Sequence, residues 1–401
     1  MSASAVTAGA VQREPRPMDD LCELGGLDRA AFGDALASAG ITASGAAVLW
    51  RAIWRHGFRD MDDPRLPAAL RRRLAGRFVL RRPAVAVDRQ SDDGTRKWLF
   101  DLARGAAVET VHIPDEGPYD VAAATGVAGN AAALTRGALC LSSQVGCTLN
   151  CRFCHTGTQA LVRNLSAAEI IGQAAHARDA LGDWTPFGLT GPRPRRVRPL
   201  RRVATLVMMG MGEPLLNYDA VATALRIAMD GEGFGLSRRR ITLSTAGVVP
   251  MIRRCGAELG VTLAVSLHAV SDDVRDRLVP LNRKYPIAEL LAACRAYPGL
   301  SNARRMIFEY VMLRGVNDGL AEARALVRLL KDIPAKVNLI PFNEWPGSDF
   351  TCSTPNTIRR FADIVSEAGL SAPVRQPRGR DILAACGQLR TLSERARRPA
   401  A

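Results

Sequence analysis

Three cysteines crowd into eight residues, Cys147, Cys151 and Cys154, in the run CTLNCRFC. Thiolates this close together can ligate one soft metal centre. A structural zinc site wants four closed ligands. The adjacent His155 could be offered as the fourth, but its place beside Cys154 makes shared tetrahedral ligation awkward. An iron–sulfur cubane held by three cysteines leaves one iron open, and an open iron can bind a substrate or cofactor directly. The other six cysteines, Cys22, Cys140, Cys255, Cys294, Cys352 and Cys386, are scattered along the chain. The total is odd, and the first twenty residues lack a basic start followed by an apolar stretch. A reducing, cytoplasmic setting without a disulfide framework is therefore expected.

The elements that must position this cluster have a repeating pattern. Strand candidates are GALCLSSQ (137–144), VATLVMM (203–209), RITLS (240–244), VTLAVSL (261–267), RMIFEYVML (305–313) and AKVNLIPF (335–342). Helical segments lie between them. One opens with a Ser-x-x-Glu capping box, Ser166 to Glu169; others begin near Tyr218, Val248, Pro286, Asp318 and Pro355. Near-continuous apolar strands alternating with helices predict a parallel sheet covered by helices. Six such units predict an α/β fold of the partial (β/α) barrel kind rather than a doubly wound sheet. The unusual polar residues all follow strands. The cysteine run follows the first, Gly212-Glu213 the second, and Ser244 closes the third. Ser266 and His268 bracket the end of the fourth, and Asn343 follows the sixth. Active sites of parallel α/β barrels form at that end, so these residues are expected to share one site.

Lys plus Arg total 54 against 39 Asp plus Glu, giving a net charge of +15. A cationic surplus of this size suits a polyanionic partner, most simply nucleic acid. Apolar residues make up 47% of the 401, enough for a sizeable core, and no run is long enough to cross a bilayer. Residues 1–19 read as a disordered tail and 20–77 as a small basic helical domain. Within it, Thr42 is a candidate N-cap, and Trp50, Arg51, Trp54 and Arg55 share a face that either packs in the core or contacts RNA. Residues 78–136 read as a strand-rich extension, with strands in AVAVDRQ, RKWLF and AVETVHIP and a low-complexity surface insertion in VAAATGVAGNAAAL. The barrel then spans 137–392, followed by a basic tail, 393–401. The run RPRRVRPLRR (193–202) reads as a solvated loop or an auxiliary phosphate contact.

The cysteine spacing, with an aromatic before the last Cys, resembles the radical S-adenosylmethionine (SAM) superfamily. LCLSSQVGCTLNCRFC, MMGMGEPLLN, ITLSTAGVVP, VSLHA, NLIPFN and DILAACGQL together resemble the RlmN family of dual-specificity RNA adenine carbon-2 methyltransferases, over about residues 20–392. The resemblance implies a six-stranded partial barrel of the radical SAM type with an N-terminal helical RNA-binding domain. It implies one 4Fe–4S cluster on Cys147, Cys151 and Cys154, and two SAM molecules per turnover. Its RNA partners are 23S rRNA, at one adenine of the peptidyl transferase centre, and tRNA, at the adenine 3′ of the anticodon. A flavodoxin-type reductant and a monomeric enzyme are implied as well.

The chemistry explains the need for a radical. Carbon-2 of adenine is electron-poor and has no lone pair, so it cannot attack a SAM methyl group as a nitrogen would; a carbon radical can add to it. By resemblance, Cys386 receives a methyl group and delivers its carbon to the RNA as a covalent adduct. Cys140 resolves that adduct by forming a disulfide with Cys386, and Glu109 is a proton acceptor. Gly212, Glu213, Ser244, Ser266, Leu267, His268 and Asn343 are implied as SAM contacts. The sister Cfr-type family, which methylates carbon-8 of the same rRNA adenine, shares every motif; the MMGMGEPLLN and TRGALCLSSQVGC neighbourhoods favour carbon-2. A non-catalytic RNA-binding protein with a structural metal is the alternative from another class.

Overall fold

The computed structural model describes residues 21–115, 136–187 and 201–391. Both expected tails, the insertion at 121–134 and all but the last two residues of the 193–202 run lie outside the described residues.

Nine strands form one open sheet whose order follows the sequence without a break. The first three, β1 (Ala84–Gln90), β2 (Arg96–Leu102) and β3 (Ala106–Pro114), are antiparallel. Then come β4 (Gly137–Cys140), β5 (Val203–Met208), β6 (Ile241–Thr245), β7 (Thr262–Ser266), β8 (Met306–Met312) and β9 (Ala335–Pro341), which run parallel. The last six are the expected barrel strands. Helices fill the crossovers: α4 (Ala167–Leu181), α5 (Tyr218–Met229), α6 (Val249–Glu258), α7 (Asp272–Leu278), α8 (Ile287–Arg295) and α9 (Leu320–Leu330), with α10 (Pro355–Glu367) after β9. Right-handed crossovers in strict strand order put all these helices on one face and curl the sheet around the other. The result is a partial (β/α) barrel.

The sheet continues through the expected boundary at 136. β3 pairs antiparallel with β4, Val111 opposite Cys140 and Pro114 opposite Gly137. Residues 84–114 are therefore a continuation of the barrel sheet, and this places Glu109 near the cluster loop.

Side chains alternate across each parallel strand. Leu206, Leu243, Phe308, Val337 and Leu339 are fully buried in the main core. Their neighbours Thr205, Thr242, Glu309, Lys336 and Asn338 line a cavity of about 330 Å3 inside the barrel. The polar character of that inner face is unusual for a barrel core.

The N-terminal helices, α1 (Arg29–Ser38), α2 (Ala43–Trp54) and α3 (Ala68–Leu74), join the same core. Thr42 caps α2 as expected, accepting from Gly45 N–H. Ser166 and Glu169 close the expected capping box on α4. Trp50 and Trp54 face inward. Trp50 Nε1 donates to Asp230 Oδ1 at 2.8 Å, and the Trp54 ring lies 5.6 Å from Phe234. The core alternative thus holds for both tryptophans, since each buries a large apolar surface against α5 and its following loop.

After α10 the chain runs beside β9, with bridges Lys336–Ser371 and Leu339–Val374. It then turns so that residues 383–391 lie over the cluster loop. Among the described residues no helix is long and apolar enough to cross a membrane.

Candidate functional site

The cluster loop leaves β4 and folds tightly. Asn150 takes a left-handed φ of 52° between Cys147 and Cys151, and Cys154 N–H donates to Cys151 O at 3.0 Å. Gly157 packs against that carbonyl; a Cβ there would sit 2.5 Å from Cys151 O. Gly212, with φ 96°, lets the end of β5 approach Gln144 where a Cβ would meet it at 2.5 Å. The three thiols line one wall of a cavity at the C-terminal ends of the strands, shared with Gly212, Glu213, Ser244, Ser266, His268 and Asn343. The ten sequence-expected site residues besides the three cysteines run from Glu109 to Cys386; these six meet at one end of the barrel.

Burial pushes Cys147 up to about 12 and raises Cys151 and Cys154 as well. A bound metal centre would supply the positive charge that ionises them. Among the described residues no group of three or more His, Cys, Asp or Glu is placed to hold a metal ion. A single zinc would need its sulfurs gathered at about 2.3 Å from one point, whereas a cluster spreads its ligands over separate irons. His155 is also taken: Nδ1 donates to Gln388 O at 3.2 Å, and Arg390 Nη1 donates to Nε2 at 3.0 Å. The three-thiol wall and the committed imidazole fit a three-cysteine cluster and not a closed zinc site.

The SAM-side candidates have defined settings. Glu213 accepts from Leu215 N–H at 3.1 Å and Ala246 N–H at 2.8 Å, bracing the end of β5 to that of β6. Burial pushes its carboxyl up to about 7. His268 has φ 58°, and its Nδ1 accepts from Val311 N–H at 3.1 Å, leaving the proton on Nε2. Burial lowers it to about 3, so the ring is neutral. Leu267 stands apart. Its side chain is in the core, its N–H donates to Glu309 O and its carbonyl accepts from Arg275 Nε. It is absent from the cavity wall.

Cys386 sits between two cavities and lines both. Cys140 lines the inner one. All nine cysteines are free thiols, so the implied Cys140–Cys386 disulfide is not present. Cys386 is an exposed residue, yet desolvation of its thiol by the surrounding protein, with Glu309 and the Cys140 and Cys154 thiols nearby, pushes it up to about 12. Burial does the same to Cys140.

The segment carrying Cys386 is held by the cluster loop itself. His155 N–H donates to Gly387 O at 2.8 Å, Thr156 Oγ1 to Leu389 O at 2.6 Å, and Gln159 pairs with the backbone of Thr391. The His155 ring stacks on Trp345 at 4.6 Å. Asn343 Nδ2 donates to Cys386 O at 3.1 Å. Glu109 serves the same segment. Lys97 Nζ lies 2.8 Å from its Oε1 and donates onward to Leu383 O, while Arg390 N–H donates to its Oε2 at 3.0 Å. Glu109 lies outside both cavity walls.

Lys97, Trp345 and Arg275 carry no sequence signal as site residues, and His155 is noticed there only as an awkward fourth ligand. Arg275 sits in DDVRDRL and looks like a surface helix charge. It is 1% exposed. Its guanidinium donates to Leu267 O, Ser266 O, Ala246 O and Asn282 Oδ1, tying the ends of β6 and β7 together. Replacing Arg275 with Met should leave these acceptors unpaired and cost about 3–5 kcal/mol. Urea unfolding of the two proteins measures this; a loss under about 1 kcal/mol would mean water replaces the guanidinium.

Comparison with known proteins follows the same outline. The Radical SAM superfamily model matches residues 141–330. The chain is 58% identical to a protein described as dual-specificity RNA methyltransferase RlmN from Granulibacter bethesdensis, covering 94% of this chain and 89% of that one. It is 59% identical to the protein of the same description from Acidiphilium cryptum, over 92% of this chain and 89% of the relative. The crystal structure of a radical SAM methyltransferase from Sphaerobacter thermophilus superposes with a TM-score of 0.77 at 41% identity, covering 92% of this chain and 99% of that one.

Proposed function

Since this chain belongs to the RlmN family of SAM-dependent, dual-specificity RNA methyltransferases, we propose that it methylates carbon-2 of one adenine in 23S rRNA and of the adenine 3′ of the anticodon in certain tRNAs. The observation that carries this reading is the place of Cys386, on a docked segment between the three-cysteine cavity and an inner cavity that also holds Cys140.

A 4Fe–4S cluster on Cys147, Cys151 and Cys154, with SAM on its open iron, would supply one-electron chemistry to the outer cavity, two SAM molecules being used per turnover. The chain's own residues do the rest. Ser244, Ser266, His268 and Glu213 give that cavity its polar contacts. The methyl carbon on Cys386 sulfur would give up one hydrogen atom to the radical derived from SAM and bond to carbon-2 of a base in the inner cavity. Carbon-2 would then shed its own hydrogen as a proton, with one electron returning to the cluster. Attack of Cys140 sulfur on Cys386 sulfur then makes an S–S bond and breaks the sulfur–carbon bond. The freed carbon takes a proton and becomes the product methyl group. Both thiols are held protonated at neutral pH, which keeps the resting pair from oxidising prematurely. Asn343, Lys97 and Glu109 hold the Cys386 segment over the barrel mouth. We give Glu109 this positioning task, because both its oxygens are engaged away from the cavities. A flavodoxin-type reductant and action as a cytoplasmic monomer complete the proposal.

The test is mass spectrometry of digested tRNA and 23S rRNA fragments after incubation with the reconstituted enzyme, SAM and a reductant. 2-Methyladenosine is expected. 8-Methyladenosine would move the chain to the Cfr-type reaction, and unmodified RNA would overturn the reading. The charge of +15 carries a second expectation. RNA binding should weaken about 10^3-fold or more between 50 and 200 mM salt if about six phosphates are contacted; a titration of labelled tRNA at several salt concentrations reads the slope.

A further inference from the structure

On the wall of the inner cavity stands a side-chain oxygen that has no hydrogen-bond partner among the described residues. β8 and β9 pair in parallel with Glu309 opposite Asn338, both facing into the barrel. Asn338 is 6% exposed. Its Nδ2 donates to Glu309 Oε1 at 2.8 Å. A carboxylate accepts hydrogen bonds, so this contact fixes the amide with its nitrogen toward Glu309 and its oxygen the other way. That oxygen, Asn338 Oδ1, is buried and has no hydrogen-bond partner. Buried acceptors are almost always paired; Asn338 lines the cavity, and a small turn of its amide brings Oδ1 to a donor on a ligand seated there.

The surroundings narrow the ligand. The cavity of about 330 Å3 is within the usual size for a small-molecule site. Glu309 and Cys386 line both cavities, so the Glu309–Asn338 pair stands where the two meet. Lys336 and the exposed Arg375 lie on the same wall and suit the phosphate of a nucleotide turned out of its stack. An aromatic base with an exocyclic amino group would satisfy Oδ1. In adenine the amino-bearing carbon and carbon-2 flank the same ring nitrogen. Holding the amino end on Asn338 therefore sets where carbon-2 is presented.

We propose that Asn338 Oδ1 accepts a hydrogen bond from the exocyclic amino group of the target adenine, with Glu309 as the positioning residue that orients the amide. This rests on the RNA methyltransferase reading above and adds the residue that selects the base. Selection follows from the unpaired acceptor: a base lacking the amino group leaves Oδ1 buried without a donor, and such sites reject the deficient analogue strongly.

The test is a cycle between one side chain and one base substituent. The reconstituted full-length enzyme and its Asn338→Ala variant are each given two tRNA substrates, one with adenine and one with unsubstituted purine at the target position. Methylation rate per unit RNA is measured for all four pairs. The wild-type protein should prefer adenine by at least about tenfold, and Asn338→Ala should bring the ratio to within about twofold, mostly by slowing the adenine substrate. Differences in intrinsic carbon-2 reactivity between the bases cancel in the cycle. Equal use of both RNAs by the wild-type protein would overturn the proposal even if the variant does not fold, and so would an unchanged ratio in a folded variant. If the wild-type protein methylates neither RNA, it is the methyltransferase reading that fails.

Discussion

Cys140→Ala should accumulate a covalent protein–RNA species, and Cys386→Ala should form neither adduct nor product. Cys386 lines both cavities, while Cys140 lines only the inner one, so only Cys386 can pass a carbon from one to the other. Removing it takes away the atom that carries the carbon, and turnover should fall by at least about 10^3-fold. Removing Cys140 spares the carbon–carbon bond and blocks release. The thioether left behind withstands heat and denaturant, so the RNA should run with the protein on a denaturing gel. The double variant should behave like Cys386→Ala, because a later step cannot matter once the earlier one is blocked. Labelled RNA and the three variants expressed in cells suffice for the measurement. An adduct in Cys386→Ala, or full turnover in Cys140→Ala, would show the two roles to be misassigned.

Replacing any one of Cys147, Cys151 and Cys154 with Ala should bring iron from about four per chain to near zero and abolish SAM cleavage. Among the described residues no other protein ligand stands ready: His155 is committed to Gln388 and Arg390, and Glu213 to two backbone N–H groups. The barrel core should survive, since Leu206, Leu243, Phe308 and Val337 pack away from the cluster wall. A second effect is expected at a distance in sequence. Residues 155–159 hold residues 387–391 through five backbone-directed contacts. A cluster loop without its metal should hold them less well, and amide exchange at 387–391 should quicken relative to the strands. Iron analysis and hydrogen exchange on the anaerobically purified proteins check both parts. A single-cysteine variant with full iron and normal SAM cleavage would refute the ligand assignment.

Much of this was legible in the chain because it is local. The three-cysteine spacing is covalent, and the capping box Ser166–Glu169 lies within one helical turn. The six parallel strands read as apolar runs because a sheet covered by helices needs them, and their order in the sheet is their order in the chain. The strand-end polar residues shared one site because a parallel sheet puts every C-terminal end on the same side. The helices of residues 29–74 were visible by their caps and periodicity. Their union with the barrel core was not, because it depends on Trp50 and Trp54 meeting Asp230 and Phe234 some 180 residues later.

The sequence by itself determined the strand and helix order, the close spacing of Cys147, Cys151 and Cys154 and the family resemblance, all of which rest on neighbouring residues and short periods. Only the tertiary structure decided which polar groups turn inward and whom they meet. Arg275 has the composition of a surface charge until the ends of β6 and β7 close around it. Glu109 serves the Cys386 segment because β2 pairs with β3 and brings Lys97 close, while residue 390 returns from the far end of the chain. Asn338 faces Glu309 because β8 and β9 pair in that register; a slip of β9 by one residue would turn Asn338 to the helix-covered face and leave Glu309 without it. Register and docking are properties of pairs of distant segments, and no window along the chain contains them.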